Sequence, residues 1–469
     1  MRRTVPLILA VALFMENMDS TVIATSLPAI AVDIGTSPIA LKLALTAYLV
    51  ALAIFIPVSA WVADRLGAKL VFRAAIGVFV IGSVACASSG SLLEFVLARF
   101  LQGMGGAMMT PVARLVLVRA TEKSDLVSAM AWLTIPGLIG PLVGPPVGGF
   151  ITTFITWHWI FLINVPIGLA GIWLAGRYLP DIEPAHARRL DMPGFLLSGI
   201  AASGVVFGLS VISLPALPPI VGVIVLLVGL GAGALYFRHA RVTPDPILDL
   251  RLFRNPAFRA AVGGGALFRV GSGATPFLLP LLFQLGFGMT PFQSGMLTFA
   301  SAFGAIAMKF MASFTLRAGG FRTVLAATAF LGGGFIAASA LFTPSTSHAV
   351  IIAVLIGSGF LRSLFFTSAG ALVFADVDAG EASQATAISA ATQQISIAVG
   401  VAVGGGLLEG TSYLSGEPIG PGSFTVAFLT VGLITALSLI PFARLPKDAG
   451  SSVSGHRLRR PAGEEPPAA

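Results

Sequence analysis

Charged side chains inside otherwise apolar stretches are the residues of this sequence best equipped for chemistry. Glu16 and Asp19 stand three apart in the first apolar stretch, so on a helix they share roughly one face. Counted from Val5 at the ordinary helical rise, Asp19 lies about 21 Å along, near the middle of a bilayer. Two carboxylates held close together in a low dielectric repel as anions and are both poorly solvated, so one of them is expected to bind a proton. Asp19 is therefore the expected proton carrier, with Glu16 sharing the proton. Arg99, inside the fourth apolar stretch where a lone charge is costly, is expected to hold the deprotonated carboxylate. A fixed Asp19–Arg99 ion pair is the competing reading. Arg269 and Arg362 lie ten or more residues from the nearer end of their stretches, without an acidic neighbour there. Both, together with Gln102, are expected to line a water-filled cavity, where the arginines would complement an anionic substrate. Lys309 is nearer an end and can reach the surface by snorkelling.

Other chemistries find little support. The histidines His158, His186, His239, His348 and His456 are scattered without ligand spacing, and Cys86 is the single cysteine. No metal site, no cofactor and no disulfide within the chain are expected. No Gly-rich loop ending in Gly-Lys-Ser/Thr is present to hold ATP phosphates. An intramembrane enzyme would need a constellation such as paired histidines with a carboxylate, and a passive channel would need a continuous polar path. The sequence offers isolated charges in separate stretches instead.

The elements that position these charges follow from composition. Of the 469 residues 56% are hydrophobic and only 10% charged, against roughly a quarter charged in soluble domains. Stretches long enough to cross about 30 Å of hydrocarbon recur along the whole chain. They are read near 5–30, 42–63, 71–89, 92–117, 128–153, 157–177, 193–213, 218–237, 257–284, 291–314, 322–342, 348–374, 384–408 and 424–443. The fold class is thus an all-α membrane protein with about fourteen transmembrane helices.

The net charge of +8 could suggest a nucleic-acid partner, but its distribution points to the lipid bilayer instead. With the N-terminus inside, Arg65, Lys69, Arg73, Arg119, Lys123, Arg177, Arg188, Arg238, Arg251 and Arg317 fall on cytoplasmic loops, and the opposite loops hold almost no Lys or Arg except Lys42. That asymmetry puts both termini in the cytoplasm and removes the need for nucleic acid. Arg2, Arg3 and Ala29-Ile30-Ala31 have the look of a signal peptide, but Glu16, Asn17 and Asp19 interrupt its apolar region.

Loops are short, the longest polar stretches being 178–192, 238–256 and 409–423. The segment Asp64-Arg65-Leu66-Gly67-Ala68-Lys69 has a weaker echo in Leu316-Arg317-Ala318-Gly319-Gly320-Phe321-Arg322. Two related halves are implied: 1–178 and 257–443, with a two-helix insert in 179–256 and a disordered cytoplasmic tail in 444–469.

Several motifs carry a family resemblance. Asp64-Arg65-Leu66-Gly67 with Lys69 resembles the cytoplasmic signature of the major facilitator superfamily. Arg99-Phe100-Leu101-Gln102-Gly103-Met104-Gly105-Gly106-Ala107 resembles its second motif. Gly140-Pro141-Leu142-Val143-Gly144-Pro145-Pro146-Val147-Gly148-Gly149 fits the GxxxGPxxGG signature of its exporters. Asp19-Ser20-Thr21-Val22-Ile23 with Leu27-Pro28, though Ala24 replaces the usual asparagine, resembles the fourteen-span drug/proton antiporter branch of EmrB/QacA type. So do Trp157 to Pro166 and Leu248 to Asn255. Met108 to Arg114 and Arg269 to Gly273 are similar to the MdtD subgroup.

The resemblance implies the major facilitator fold, two six-helix halves plus two central helices, and proton-coupled export of a small-molecule substrate. It implies that Asp64, Arg65, Gly67 and Lys69 form a conformational latch whose acid and bases pair across the halves. It links Arg99 to proton transfer and makes Gly140, Gly144, Pro145, Gly148 and Gly149 a packing element. Multidrug efflux across the bacterial inner membrane is the expected function. Organic anions, including carboxylates or their metal chelates, are the alternative that the arginines favour. Some branch members act with an adaptor and an outer-membrane channel, and a monomer is expected.

Overall fold

The computed structural model describes residues 4–122, 125–181, 189–215, 217–378, 381–446 and 448–454. Among them, thirteen helices are long and apolar enough to cross a membrane, and the 29-residue helix Leu126–Phe154 completes the fourteen expected. In chain order the spans are α1 (Thr4–Thr25), α2 (Lys42–Leu66), α3 (Ala68–Ala87), α4 (Leu92–Ala120), α5 (Leu126–Phe154), α6 (Trp159–Tyr178), α7 (Met192–Ile212), α8 (Pro219–Val242) and α9 (Pro256–Gly286). The run Pro291–Ala338 breaks at Gly320 into α10 and α11, and α12 (His348–Val373), α13 (Ala382–Ser415) and α14 (Pro421–Ala443) complete the set. Most of the tail, 455–469, lies outside the described residues; 448–454 includes a one-turn helix, Ser451–Ser454.

Local chemistry sets where these helices start and turn. Ser91 and Asp191 accept the first free N–H groups of α4 and α7, and Thr290 and Gln293 form a reciprocal capping box at α10. Between α2 and α3 the chain reverses at Gly67, φ +89°, and between α10 and α11 at Gly320, φ +66°. Only glycine takes that left-handed conformation at little cost. The sequence echo therefore marks equivalent turns in two halves, α1–α6 and α9–α14, with the hairpin α7–α8 between them.

Contacts between the halves lie toward the end of the bundle away from the chain termini, here called the far face. There α5 meets α10: a Cβ on Gly149 would sit 2.8 Å from Phe292 Cα, and one on Gly295 would sit 2.9 Å from the Pro145 carbonyl carbon. The Phe292 N–H donates to Thr153 Oγ1 at 3.1 Å. The second seam pairs α2 with α13, and α7 packs on both through Val50, Val206 and Ala398. Gln284 Nε2, at the end of α9, donates to the Thr25 carbonyl at 2.9 Å. Below the α5–α10 seam the halves part around a cavity of about 360 Å³.

Candidate functional site

Asp19 is fully buried inside the first half, and every polar contact it makes is a charge-assisted hydrogen bond. Arg99 Nη1 donates to Asp19 Oδ2 at 2.6 Å. Gln102 Nε2 and Asn164 Nδ2 donate to Asp19 Oδ1 at 2.8 and 3.0 Å. Ser83 Oγ accepts from the same two amides, and Arg99 Nη1 also reaches Gln102 Oε1 at 2.5 Å. The guanidinium lies 4.3 Å from the Tyr48 ring centroid, a cation–π contact. Five helices, α1, α2, α3, α4 and α6, thus converge on one carboxylate.

The glycines of α4 make that convergence possible. A Cβ on Gly103 would sit 2.6 Å from the Tyr48 carbonyl oxygen of α2, and one on Gly105 would sit 2.6 Å from Phe79 N of α3. The export signature does the same for α5. A Cβ on Gly140 would lie 2.9 Å from Met18 N, one on Gly144 would overlap the Thr21 hydroxyl, and one on Gly148 would overlap the Val22 carbonyl oxygen. Three glycines spaced by four therefore seat α1, the helix that carries Asp19, while Gly149 faces α10 instead.

Glu16 is only half-buried and takes a different partner, Thr110 Oγ1 at 2.5 Å. Its carboxylate thus bonds Thr110, whereas the Asp19 oxygens accept from Arg99, Gln102 and Asn164. Gln102 likewise belongs to the buried network and not to the cavity wall. The sequence spacing placed it one turn beyond Arg99, and that turn faces Asp19.

The cavity takes Thr21, Thr25, Pro141 and Pro145 from one half and Thr275, Lys309, Arg362 and Thr367 from the other. Its described lining includes two cations and no carboxylate. Lys309 Nζ donates to Thr367 Oγ1 at 3.0 Å. Arg269, expected beside Arg362, is absent from this lining and only 2% exposed. It sits 5.7 Å from the Phe366 ring centroid, and its Nε and Nη1 have no hydrogen-bond partner among the described residues.

Among the described residues, the ion pairs of the signature between α2 and α3 do not reach the second half. Asp64 Oδ1 accepts from Arg119 Nη2 at 2.7 Å at the end of α4, and Lys69 pairs with Asp181 at 3.0 Å. Arg65 lies 5.7 Å from the Trp61 ring centroid. The acid takes a cation from its own half.

Four residues escaped sequence reasoning. Asn164 and Ser83 are uncharged, and nothing in their surroundings along the chain ties them to Asp19; the Asn-Val-Pro motif was the one signal for Asn164. Lys42, read as a loop cation, is fully buried at the start of α2 and forms an ion pair with Glu409 of α13. Glu409 was assigned to the polar stretch 409–423, but α13 runs on to Ser415.

The sequence pattern of the Major Facilitator Superfamily matches residues 9–196 and 261–465, leaving out 197–260, where most of the α7–α8 insert lies. MdtD of Salmonella heidelberg, named for multidrug resistance, is 34% identical over 467 residues, 97% of each chain. HsrA of Haemophilus influenzae, named as a transport protein, is 35% identical over 442 residues, 94% of this chain and 95% of its own. Two solved structures share the fold at low identity. A D-xylose-proton symporter aligns with TM-score 0.68 at 13% identity, covering 95% of this chain and 98% of its own. The nucleoside transporter NupG aligns with TM-score 0.62 at 15% identity, covering 94% and 100%.

Proposed function

Because this chain belongs to the major facilitator superfamily, we propose that it is a proton-coupled antiporter that exports small molecules across the bacterial inner membrane by alternating access. The observation that carries the reading is the sealed Asp19 carboxylate, bonded to Arg99, Gln102 and Asn164 at the centre of the first half. Both oxygens of this buried carboxylate are occupied by hydrogen bonds from two amides and a guanidinium. Protonation would remove its charge, release Arg99 and loosen five helices at once. Glu16, half-exposed and held by Thr110, is the relay through which a proton reaches that centre. Substrate and proton then favour opposite openings, because a ligand shifts a two-state equilibrium only by its preference for one state.

The basic loops make the termini face cytoplasmic and the far face periplasmic. The parted cytoplasmic ends and closed far face correspond to an inward-open state, in which Asp64 rests on Arg119. In the opposite state Asp64, Arg65, Gly67 and Lys69 form the latch across the halves. The proposed units are the halves 1–178 and 257–443 and the insert 179–256. A monomer holds the whole site, and an adaptor with an outer-membrane channel would extend export across a second membrane.

A second reading of the substrate rests on the cavity lining, which among the described residues holds Arg362 and Lys309 and no carboxylate. Cationic drugs favour acidic or aromatic walls, whereas two cations suit an organic anion such as a carboxylate or its metal chelate. Liposomes loaded with a pH-sensitive dye test both. Proton movement triggered by substrate in the wild type and lost in Asp19→Asn supports antiport, and gradient-independent flux refutes it. Triggering by citrate-like carboxylates that is lost in Arg362→Gln supports the anion reading; triggering by cationic dyes alone refutes it.

A further inference from the structure

The ion pair between Lys42 and Glu409 plays no part in the mechanism above, yet it joins all three units of the fold. Lys42 opens α2 in the first half, Glu409 lies near the end of α13 in the second half, and Ser213 caps α7 of the insert. Lys42 Nζ donates to Ser213 Oγ at 2.7 Å and to Glu409 Oε2, over sequence separations of 171 and 367 residues. The Lys42 side chain is fully buried and that of Glu409 is 7% exposed. Glu409 Oε1 has no hydrogen-bond partner among the described residues.

The backbone of α13 is shaped to receive these partners. Gly404, Gly405 and Gly406 precede Glu409 by about a turn, and each faces a different neighbour. A Cβ on Gly405 would sit 2.6 Å from Lys42 Cδ, one on Gly406 would sit 3.4 Å from Ser213 Oγ, and one on Gly404 would sit 3.3 Å from Ala274 Cβ of α9. The lysine stem lies against bare helix backbone, and its ammonium group ends at the carboxylate.

We propose that Lys42, Glu409 and Ser213 are positioning residues of the transport cycle. Together they form the lock that keeps the far face closed, and the two-helix insert acts on the cycle through Ser213. The inference rests on the alternating-access reading. In that cycle α2 and α13 part at the far face, and the pair cannot survive the parting. A dry ion pair is strongly attractive, and loss of one partner leaves an uncompensated buried charge. Water entering the seam raises the local dielectric and solvates both charges, so the attraction collapses once opening begins. The lock is therefore firm when shut and weak when wet, which gives two discrete states and few intermediate ones. The α5–α10 seam closes the other side of the far face by glycine packing and the Phe292 to Thr153 hydrogen bond.

The test is labelling from the far side in right-side-out vesicles without substrate. Thr25→Cys, buried behind the seam, reports access of a membrane-impermeant maleimide, and Cys86 is buried and gives the background in the parent protein. Lys42→Met and Glu409→Gln should each speed labelling by about tenfold, the size of shift expected when a state-specific contact is removed. Ser213→Ala should give a smaller increase. The exchanged pair Lys42→Glu with Glu409→Lys should return labelling toward the parent rate. Unchanged rates in folded single variants overturn the lock. So does fast labelling in the singles and the exchanged pair alike, if it is accompanied by an equal loss of thermal stability in all. Labelling needs neither substrate nor a proton gradient, so failure of the antiport reading would not be mistaken for failure of the lock.

Discussion

Replacing Asp19 with Asn tests the buried network most directly, because it removes one charge and one acceptor while keeping the shape. Asp19 Oδ1 accepts from two amides and Oδ2 accepts from Arg99. Asparagine has a single acceptor oxygen, so in either orientation its amide nitrogen faces N–H donors. Arg99, only 1% exposed, is left without its counter-ion. Losing one partner of a buried pair costs about 3–5 kcal/mol. The double variant Asp19→Asn with Arg99→Gln removes the stranded cation and should recover at least half of that loss. Neither variant should couple proton to substrate. Thermal unfolding in detergent measures the stability, and substrate-triggered proton movement in liposomes measures the coupling. A folded Asp19→Asn protein that still exchanges protons for substrate would refute the carrier role. A double variant no more stable than the single would refute the electrostatic account of Arg99.

Gly144→Ala should disturb the seating of α1 by about 1–3 kcal/mol. Thr21→Ala should relieve part of that cost, because the hydroxyl is the nearest obstruction, whereas Gly148→Ala, which meets the Val22 backbone, should resist rescue; thermal unfolding of the four proteins decides. Asp64→Asn breaks a pair whose side chains are each 31% exposed. It should change stability by no more than about 1 kcal/mol yet slow transport severalfold, and unaltered transport would count against the latch. Burial pushes the Asp191 carboxyl up, but the Gly194 N–H, the His239 ring and the Ile247 N–H together outweigh burial and hold it below the ordinary aspartate value of 3.8. Because the folded state favours the anion, its stabilisation is complete above that value and is lost as pH falls through the lower folded one. Asp191→Asn, which keeps a capping oxygen for α7 but loses the charge at the helix N-terminus, should cost up to about 1 kcal/mol near neutrality and nothing in strong acid, as read from pH-dependent proteolysis of the 243–255 loop.

The architecture was legible in the sequence because the bilayer imposes one simple demand on every span, about twenty apolar residues, and tolerates few exceptions. The exceptions were therefore conspicuous. Asp19 and Arg99 stand out because each is a charge that hydrocarbon rejects, and the structure places them 2.6 Å apart. Arg269 shows the limit of that inference. The same reasoning placed it at a watery wall, but it is packed behind the cavity against Phe366, with no ion pair among the described residues. The rule names which residues are unusual and says little about which way they point.

Lys42 and Glu409 mark a second limit. Each stands near the end of an apolar stretch, where a charge is ordinary and needs no partner, so hydropathy alone gave no reason to join them. What identifies the pair is the run Gly404-Gly405-Gly406, whose faces meet α9, α2 and the insert in turn. A glycine run in a membrane helix reads from sequence as a site of close packing, and that is correct here. The packing partner, however, is a lysine stem from the other half of the chain. Chemistry and packing coincide at that point, and the contact that closes the far face is also the one that a membrane-spanning rearrangement must break. If Gly405→Ala pushes the lysine stem away, the seam should open more readily even with both charges intact. The same maleimide labelling would show it, and unchanged labelling in a stable Gly405→Ala protein would mean that the glycine run serves helix packing alone.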